Sequence, residues 1–223
     1  MAERPVFRPT NDGAQLVNTE CVPFKWFAGM ATSQKPDNSG FLLGKLLIAM
    51  PGMPDPRFEK TVIFMCAHSD EGAMGLIVNK PFDGLSFREL VEKLEVHVTS
   101  NTPDPPIMFG GPVRMGQGFV LHSSEYASDE ATMPVTSEIS LTATVDILRA
   151  IAQGEGPEKA LFALGYSGWG PGQIENELLS NGWIHCDADK QILFDLDSDA
   201  KWRAALATLG ADISGLSAEA GRA

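Results

Sequence analysis

The stretch from Lys45 to Asn79 reads KLLIAM-PGMPDPRFEK-TVIFMCA-HSDEGAM-GLIVN and decides the fold class. Three short apolar runs are separated by a proline-rich segment and by a polar turn that contains glycine. Runs of this length, rich in β-branched and large apolar residues, are typical of buried strands. The sequence therefore predicts strands at Lys45–Met50, Thr61–Ala67 and Gly75–Asn79.

Further strands are predicted at Ile107–Phe109 and Phe119–His122, and helices follow from apolar stripes at helical spacing. The helix beginning at Ser86 carries a capping box with Glu89. The other predicted helices are the Leu141–Ala152 stripe ended by Gly154, a short helix from Gly156-Pro157 to Gly165, the Ile174–Leu178 helix closed by Gly182, and a last helix capped by Asp199 and ended by Gly210. Strands cluster early and helices late without βαβ alternation, which favours an α+β fold over a doubly wound sheet.

Length and composition fit one globular domain preceded by an extension. The chain has 223 residues, of which 43% are hydrophobic and 21% charged. Residues 1–40 contain scattered prolines and glycines without sustained periodicity, so we predict an N-terminal extension or linker there and a single domain over residues 41–223. Within the extension, the run Val22–Phe27 is apolar enough to dock somewhere.

The net charge and the cysteines indicate the cellular compartment and the classes of partner to expect. The net charge is -12, with 17 basic against 29 acidic residues. Because Lys and Arg contacts to phosphates dominate nucleic-acid affinity, direct binding to DNA or RNA is disfavoured. The first residues have no apolar signal-peptide core, and Phe41–Met50 is too short to span a bilayer. Cys21, Cys66 and Cys186 form no disulfide framework, so we predict a cytoplasmic protein without a membrane partner.

The strongest local feature is the glycine-rich stretch GYSGWGPGQ at Gly165–Gln173. Free amides at a helix N-terminus can bind an anion, and Trp169 can offer a stacking face. A tight structural turn with a packed tryptophan is the alternative. The stretch matches neither a phosphate-binding fingerprint nor a nucleophile elbow. The candidate ligand or partner residues here are Gly168, Trp169, Gly170, Gly172 and Gln173.

Two other loops supply candidate residues. Gly110 and Gly111 lie between predicted strands, and Arg114 just beyond them can clamp a carboxylate or phosphate; a turn with a solvated arginine is the alternative. Asp55 and Arg57 follow the first strand and either form a surface ion pair or point into a cleft.

The histidines and aspartates match no metal signature. His68 directly follows one predicted strand and His122 ends another, and their spacing with His185 and Cys186 fits no zinc site. The aspartates of Asp195–Asp199 fail as a calcium loop, because Ala200 and Leu206 stand where an EF-hand needs glycine and glutamate. We therefore predict neither metal nor cofactor.

Taken together, several stretches resemble the bacterial YqgE/AlgH family in order and rough spacing. They are Gly44–Pro51, Asp55–Phe58, His68 with Gly72–Pro81, Gly110–Val113, Gly118–His122, Gly165–Trp169 with Gly172, Gln173 and Glu177, and Trp183. The resemblance implies a strongly bent, partly barrel-like mixed sheet surrounded by helices. It implies no catalytic residues, because none are established in the family, and some members are labelled transcriptional regulators.

Three function hypotheses remain open at this point. The first is a non-catalytic regulatory, ligand-sensing or protein-interaction protein, whose partner is an unknown protein or a small anionic ligand. The second is an enzyme acting on an anionic small molecule, with His68, His122 and Asn79 as polar groups near strand ends. The third is a transcriptional regulator that acts indirectly, since the chain carries no DNA-binding motif.

Overall fold

The computed structural model describes residues 42–53, 55–98, 102–128 and 132–210 of the chain. The extension predicted at residues 1–40, with its apolar run Val22–Phe27, lies outside the described residues. The division into an extension and a single domain therefore stays a prediction.

Nine strands of the described residues form one curled sheet. They are β1 Lys45–Ala49, β2 Val62–Ser69, β3 Gly72–Ile77, β4 Ile107–Phe109, β5 Val113–Ser123, β6 Thr132–Pro134, β7 Ile139–Thr142, β8 Ala160–Trp169 and β9 Trp183–Asp187. Eight of them follow the order β6-β7-β5-β8-β3-β2-β1-β9 in antiparallel pairs, and β4 pairs with β8 in parallel. This half-barrel surrounded by helices confirms the predicted α+β class.

Four α-helices accompany the sheet in the part of the chain that the structure describes. They are α1 Phe87–Lys93, α2 Val145–Gln153, α3 Gln173–Leu179 and α4 Ser198–Thr208, with a short 3-10 helix at Pro56–Phe58 and a π-helical turn at Gln191–Asp195. Helices α1 and α2 pack on the outer face of β5 and β8. Helix α3 and the 3-10 helix cover the outer face of β1–β3.

The main core fills the inner face of the curl. Strand β1 shows the division of faces: Leu46 and Ile48 point inward, whereas Leu47 and Ala49 point outward to the α3 side. This follows from the two-residue period of a strand. Helix α4 closes the inner core with Trp202, whose indole N–H donates to the Ala49 carbonyl at 3.0 Å.

Close backbone contacts between β8 and the segment before β5 explain the glycine pair. A Cβ on Gly110 would lie 2.3 Å from the Gly165 carbonyl oxygen, and one on Gly111 would lie 2.2 Å from the Tyr166 carbonyl carbon. Gly111 also has φ of 150°, in the region that glycine alone adopts readily. The pair therefore permits two backbones to meet, which gives a structural reason for glycine at both positions.

Much of the predicted secondary structure is confirmed. Strands β1, β2 and β4 lie where the apolar runs place them, and β3 and β5 overlap their predicted runs. The capping box also forms: the Ser86 hydroxyl accepts from the Glu89 amide, while the Glu89 carboxylate accepts from the Ser86 amide. Gly154 ends α2 in the left-handed conformation.

Other predictions are wrong. The helix predicted up to Gly165 is the strand β8, because a strand buried on both faces reads as a continuous apolar run that periodicity cannot distinguish from a helix. Leu141 belongs to β7, so α2 begins only at Val145. The N-cap position of α4 is Asp197 rather than Asp199. Strands β6, β7 and β9 were not predicted from the sequence.

Gly111→Ala should destabilise the fold far more than Gly154→Ala. Both glycines have positive φ, but a Cβ on Gly154 meets nothing within 4 Å. We expect a loss of roughly 3 kcal/mol or more in the free energy of unfolding at Gly111 and about 1–2 kcal/mol at Gly154. Urea unfolding of both variants measures the difference, and equal losses would contradict the close backbone contact.

Lys201 should make stability depend on pH. Its side chain is buried, and Nζ donates to the carbonyls of Val78 at 3.0 Å and Leu193 at 2.6 Å. Burial lowers the pKa of Lys201 from 10.5 to about 8. Between these values the unfolded lysine holds a proton that the folded one has lost, so stability rises with pH.

Lys201→Met lacks this ionisable group. Between pH 7.5 and 10.5 we therefore expect the free energy of unfolding to rise by up to about 3 kcal/mol more in the wild type than in the variant. Chemical unfolding of both proteins over this range gives the two curves. Parallel curves would show that the proton affinity of Lys201 is unchanged by folding.

Candidate functional site

A bulge in β2 aims His68 at helix α3. The register of β2 against β3 shifts between Met65 and Ala67, so Cys66 and Ala67 both face the inner core. Without this extra residue the two-residue period would point His68 inward with Phe64 and Cys66. The bulge instead places His68 on the outer face, beside α3.

His68 connects Leu42 to α3. Its Nδ1 accepts from the Leu42 amide at 2.9 Å, so the ring proton lies on Nε2. Nε2 donates to Glu175 Oε1 at 2.7 Å. The imidazole is buried, whereas 48% of the Glu175 side chain is exposed.

Glu177 binds two tryptophans from different strands. Glu177 Oε2 accepts from the indole N–H of Trp169, at the end of β8, at 3.0 Å and from that of Trp183, at the start of β9, at 2.8 Å. Both rings are buried and meet edge to face with centroids 6.2 Å apart. The half-buried carboxylate therefore fixes α3 to two strands that are not neighbours in the sheet.

Gln173 joins the glycine turn to the same carboxylate. Its Oε1 accepts from the Gly170 amide at 3.1 Å, and its Nε2 donates to Glu177 Oε1 at 3.0 Å. Gly172 occupies the N-cap position of α3 with φ of 69°. Only Gly170–Gly172 forms a turn, because Gly165–Trp169 belongs to β8, with Gly168 exposed.

The Asp55 loop adjoins this cluster through an aromatic contact. Arg57 Nη2 lies 2.6 Å from Asp55 Oδ2, and the hydrogen bond from Arg57 lowers the pKa of the Asp55 carboxyl. The Arg57 guanidinium also lies 5.8 Å from the ring centroid of Phe58, which meets Trp183 edge to face at 5.6 Å. The loop thus forms the predicted ion pair and stands beside the tryptophans.

The structure brings some predicted residues together and separates others. Those around α3 are His68, Trp169, Gly170, Gly172 and Gln173, with Asp55 and Arg57 alongside. Gly168 is not among them, because a Cβ there would approach Tyr166 and Val113 of the inner core. Gly110 and Gly111 are packed against β8. Arg114 is exposed at the start of β5.

His68, His122 and Asn79 occupy three separate environments. Asn79 lies past the opposite end of the β2–β3 hairpin, where Oδ1 accepts from the Val62 amide and Nδ2 donates to the Lys60 carbonyl. His122 on β5 bonds the Ser123 carbonyl and Thr142 Oγ1, each at 2.8 Å, and burial lowers its pKa. The hypothesis of an enzyme that unites these three side chains is therefore wrong in that form.

Sequence reasoning missed three residues of the cluster. Glu177 and Trp183 matched the family resemblance but received no role, and Glu175 was not singled out. The available signal was the four-residue spacing from Gln173 to Glu177, which places both side chains on one helix face. Their meeting with Trp183 depends on the sheet order and has no local signal.

Metal and membrane features are absent from the described residues. In them, no group of three or more His, Cys, Asp or Glu side chains is arranged to hold a metal ion. Within the same ranges, every helix is too short or too polar to cross a bilayer.

Comparisons with known proteins place the chain among bacterial relatives. A family model described as AlgH-like matches residues 46–214. A UPF0301 protein of Bradyrhizobium diazoefficiens is 51% identical over 195 residues, which cover 84% of this chain and 91% of that protein. A UPF0301 protein of Caulobacter vibrioides is 49% identical over 195 residues, covering 87% of this chain and 100% of the relative.

Two solved structures share the fold. The solution structure of the AlgH protein from Pseudomonas aeruginosa has 42% sequence identity and a TM-score of 0.66, covering 85% of this chain and 100% of that one. A crystal structure from Corynebacterium diphtheriae has a TM-score of 0.60 over 80% of this chain and 91% of the other. At 16% identity, the second similarity shows the fold alone.

Glu177→Leu should destabilise the fold more than Glu177→Gln. Leucine leaves two buried indole N–H groups without an acceptor, at a cost of about 1–3 kcal/mol each, whereas glutamine retains an acceptor oxygen. We expect losses of roughly 2–5 kcal/mol for leucine and about 1–2 kcal/mol for glutamine in urea unfolding. If the two variants are equally stable, the indole bonds do not hold α3.

Proposed function

The chain belongs to the AlgH-like family, and we propose that it is a non-catalytic recognition protein that binds another protein through the exposed side of α3. The binding surface consists of Glu175, Asn176 and Leu179, which lie together because Leu179 is four residues from Glu175 and three from Asn176 on one helix. We call this surface the α3 face. All three side chains are exposed.

Leu179 carries the proposal. Its side chain is 82% exposed, while the only other large hydrophobic residue that is exposed among the described residues, Leu209, is 37% exposed. The helix below it is anchored by the burial of Ile174 and by the Glu177 carboxylate. An apolar side chain held outward on an anchored helix offers a partner a contact that needs little ordering.

Hydrogen bonding within the cluster favours recognition over catalysis. Both ring nitrogens of His68, both oxygens of Glu177 and both ends of the Gln173 amide have partners within the protein. These bonds hold α3 in place. A group that positions a helix in this way is poorly suited to act as a general base or nucleophile on a substrate.

Charge around the glycine turn favours a cationic partner over an anionic one. Asp70 and Glu71 lie in the β2–β3 turn, and Gly72, the first residue of β3, approaches the Trp169 carbonyl closely. Glu175 stands at the N-terminal end of the α3 face. A small anionic ligand would meet these carboxylates, so we propose a protein partner that presents an apolar side chain beside a basic one.

Leu179→Ser should remove binding while leaving the fold intact. The side chain is mostly exposed, so the free energy of unfolding should change by less than about 0.5 kcal/mol. In an affinity experiment with immobilised full-length protein and extract of the native bacterium, bound partners should fall by at least ~5-fold if Leu179 is a binding hot spot.

Leu209→Ser is the matched control, because it removes the other exposed leucine of the described residues, which caps the C-terminal end of α4. Partners retained by the wild type and by Leu209→Ser but lost from Leu179→Ser support the proposal. Identical retention by all three proteins would contradict it.

A further inference from the structure

We propose that the chain covers its own α3 face with the segment Val22–Phe27, which competes with an external partner. The inference rests on the proposed binding role of the α3 face and adds its regulation.

The chain enters the domain beside α3. The first described residue, Leu42, donates its amide to His68 Nδ1, and His68 Nε2 bonds Glu175 on the α3 face. Leu179 is one helical turn further along the same side of α3, a rise of about 6 Å. The described chain therefore begins beside the helix that carries the exposed leucine.

The intervening length is sufficient for docking. Phe27 is 15 positions before Leu42, from the difference 42 − 27. A chain of this length without regular structure spans on the order of 20 Å, which exceeds the distance along α3. A short tether of this kind gives an effective concentration in the millimolar range, so a weak contact is sufficient for occupancy.

The side chains of the segment complement the α3 face in polarity and charge. It reads VPFKWF, with Phe24, Trp26 and Phe27 as large apolar side chains and Lys25 as a cation. The aromatic rings can cover Leu179, while Lys25 faces the acidic side that Glu175, Asp70 and Glu71 create.

Cys21, immediately before the segment, provides a direct test in the full-length chain. In Leu179→Cys, oxidation with diamide should join Cys21 and the new thiol by a disulfide, which forms only when the two Cα atoms approach to roughly 4.4–6.8 Å. Burial raises the pKa of the Cys66 and Cys186 thiols, so these two react slowly. Peptide mapping without reduction identifies the bond.

Leu209→Cys is the matched control, since it places a thiol at the other leucine that is exposed among the described residues. We expect the disulfide to Cys21 to form at least ~10-fold faster from position 179 than from 209, at a rate independent of protein concentration. Adding Trp26→Ser to Leu179→Cys should lower the rate toward that of the control. Equal rates at the two positions, or a rate that rises with protein concentration and so reports a second copy, would overturn the proposal.

Affinity capture separates this inference from the proposed function. If the segment competes with a partner, Trp26→Ser should retain more of the proteins that depend on Leu179 than the wild type does. If the disulfide forms rapidly but neither the wild type nor Trp26→Ser captures proteins that depend on Leu179, only the external partner is contradicted. If capture depends on Leu179 but the disulfide forms no faster from position 179 than from position 209, only the covering of the α3 face by Val22–Phe27 is contradicted.

Discussion

One half-buried carboxylate, that of Glu177, determines where helix α3 lies. It accepts indole N–H groups from Trp169 on β8 and Trp183 on β9, at 3.0 and 2.8 Å. The two strands are separated in the sheet by β3, β2 and β1, so the contact spans one whole side of the half-barrel. Because a buried indole N–H without an acceptor is costly, the helix has one favourable position rather than several.

The fixed position of α3 also prepares the proposed binding face. A helix of seven residues is unstable in isolation, so the order of α3 comes from tertiary contacts: the burial of Ile174, the Glu177 carboxylate and the bond between Glu175 and His68. The last of these exists because the β2 bulge turns His68 outward. The result is a preformed face from which Leu179 projects, and a preformed face loses less entropy when it binds.

The sequence predicted what depends on local pattern and missed what depends on sheet order. Apolar runs located β1, β2 and β4, and the Ser86 capping box located α1. The strand β8 looked helical because both of its faces are buried. Trp169 and Gln173 were both selected as candidate residues of one glycine-rich stretch. Their meeting with Trp183 requires the position of β9, in which Trp183 pairs with Ala49 of β1 across 134 residues of sequence, from the difference 183 − 49.

Hydrogen exchange of the indole N–H protons, followed by NMR, tests the role of Glu177 most directly. In the wild type the Trp169, Trp183 and Trp202 protons should all be protected. In Glu177→Leu, Trp169 and Trp183 should lose protection together, while Trp202, which bonds the Ala49 carbonyl, should keep it. Unchanged protection of Trp169 and Trp183, or a loss confined to one of them, would contradict a single carboxylate that holds α3 to both strands.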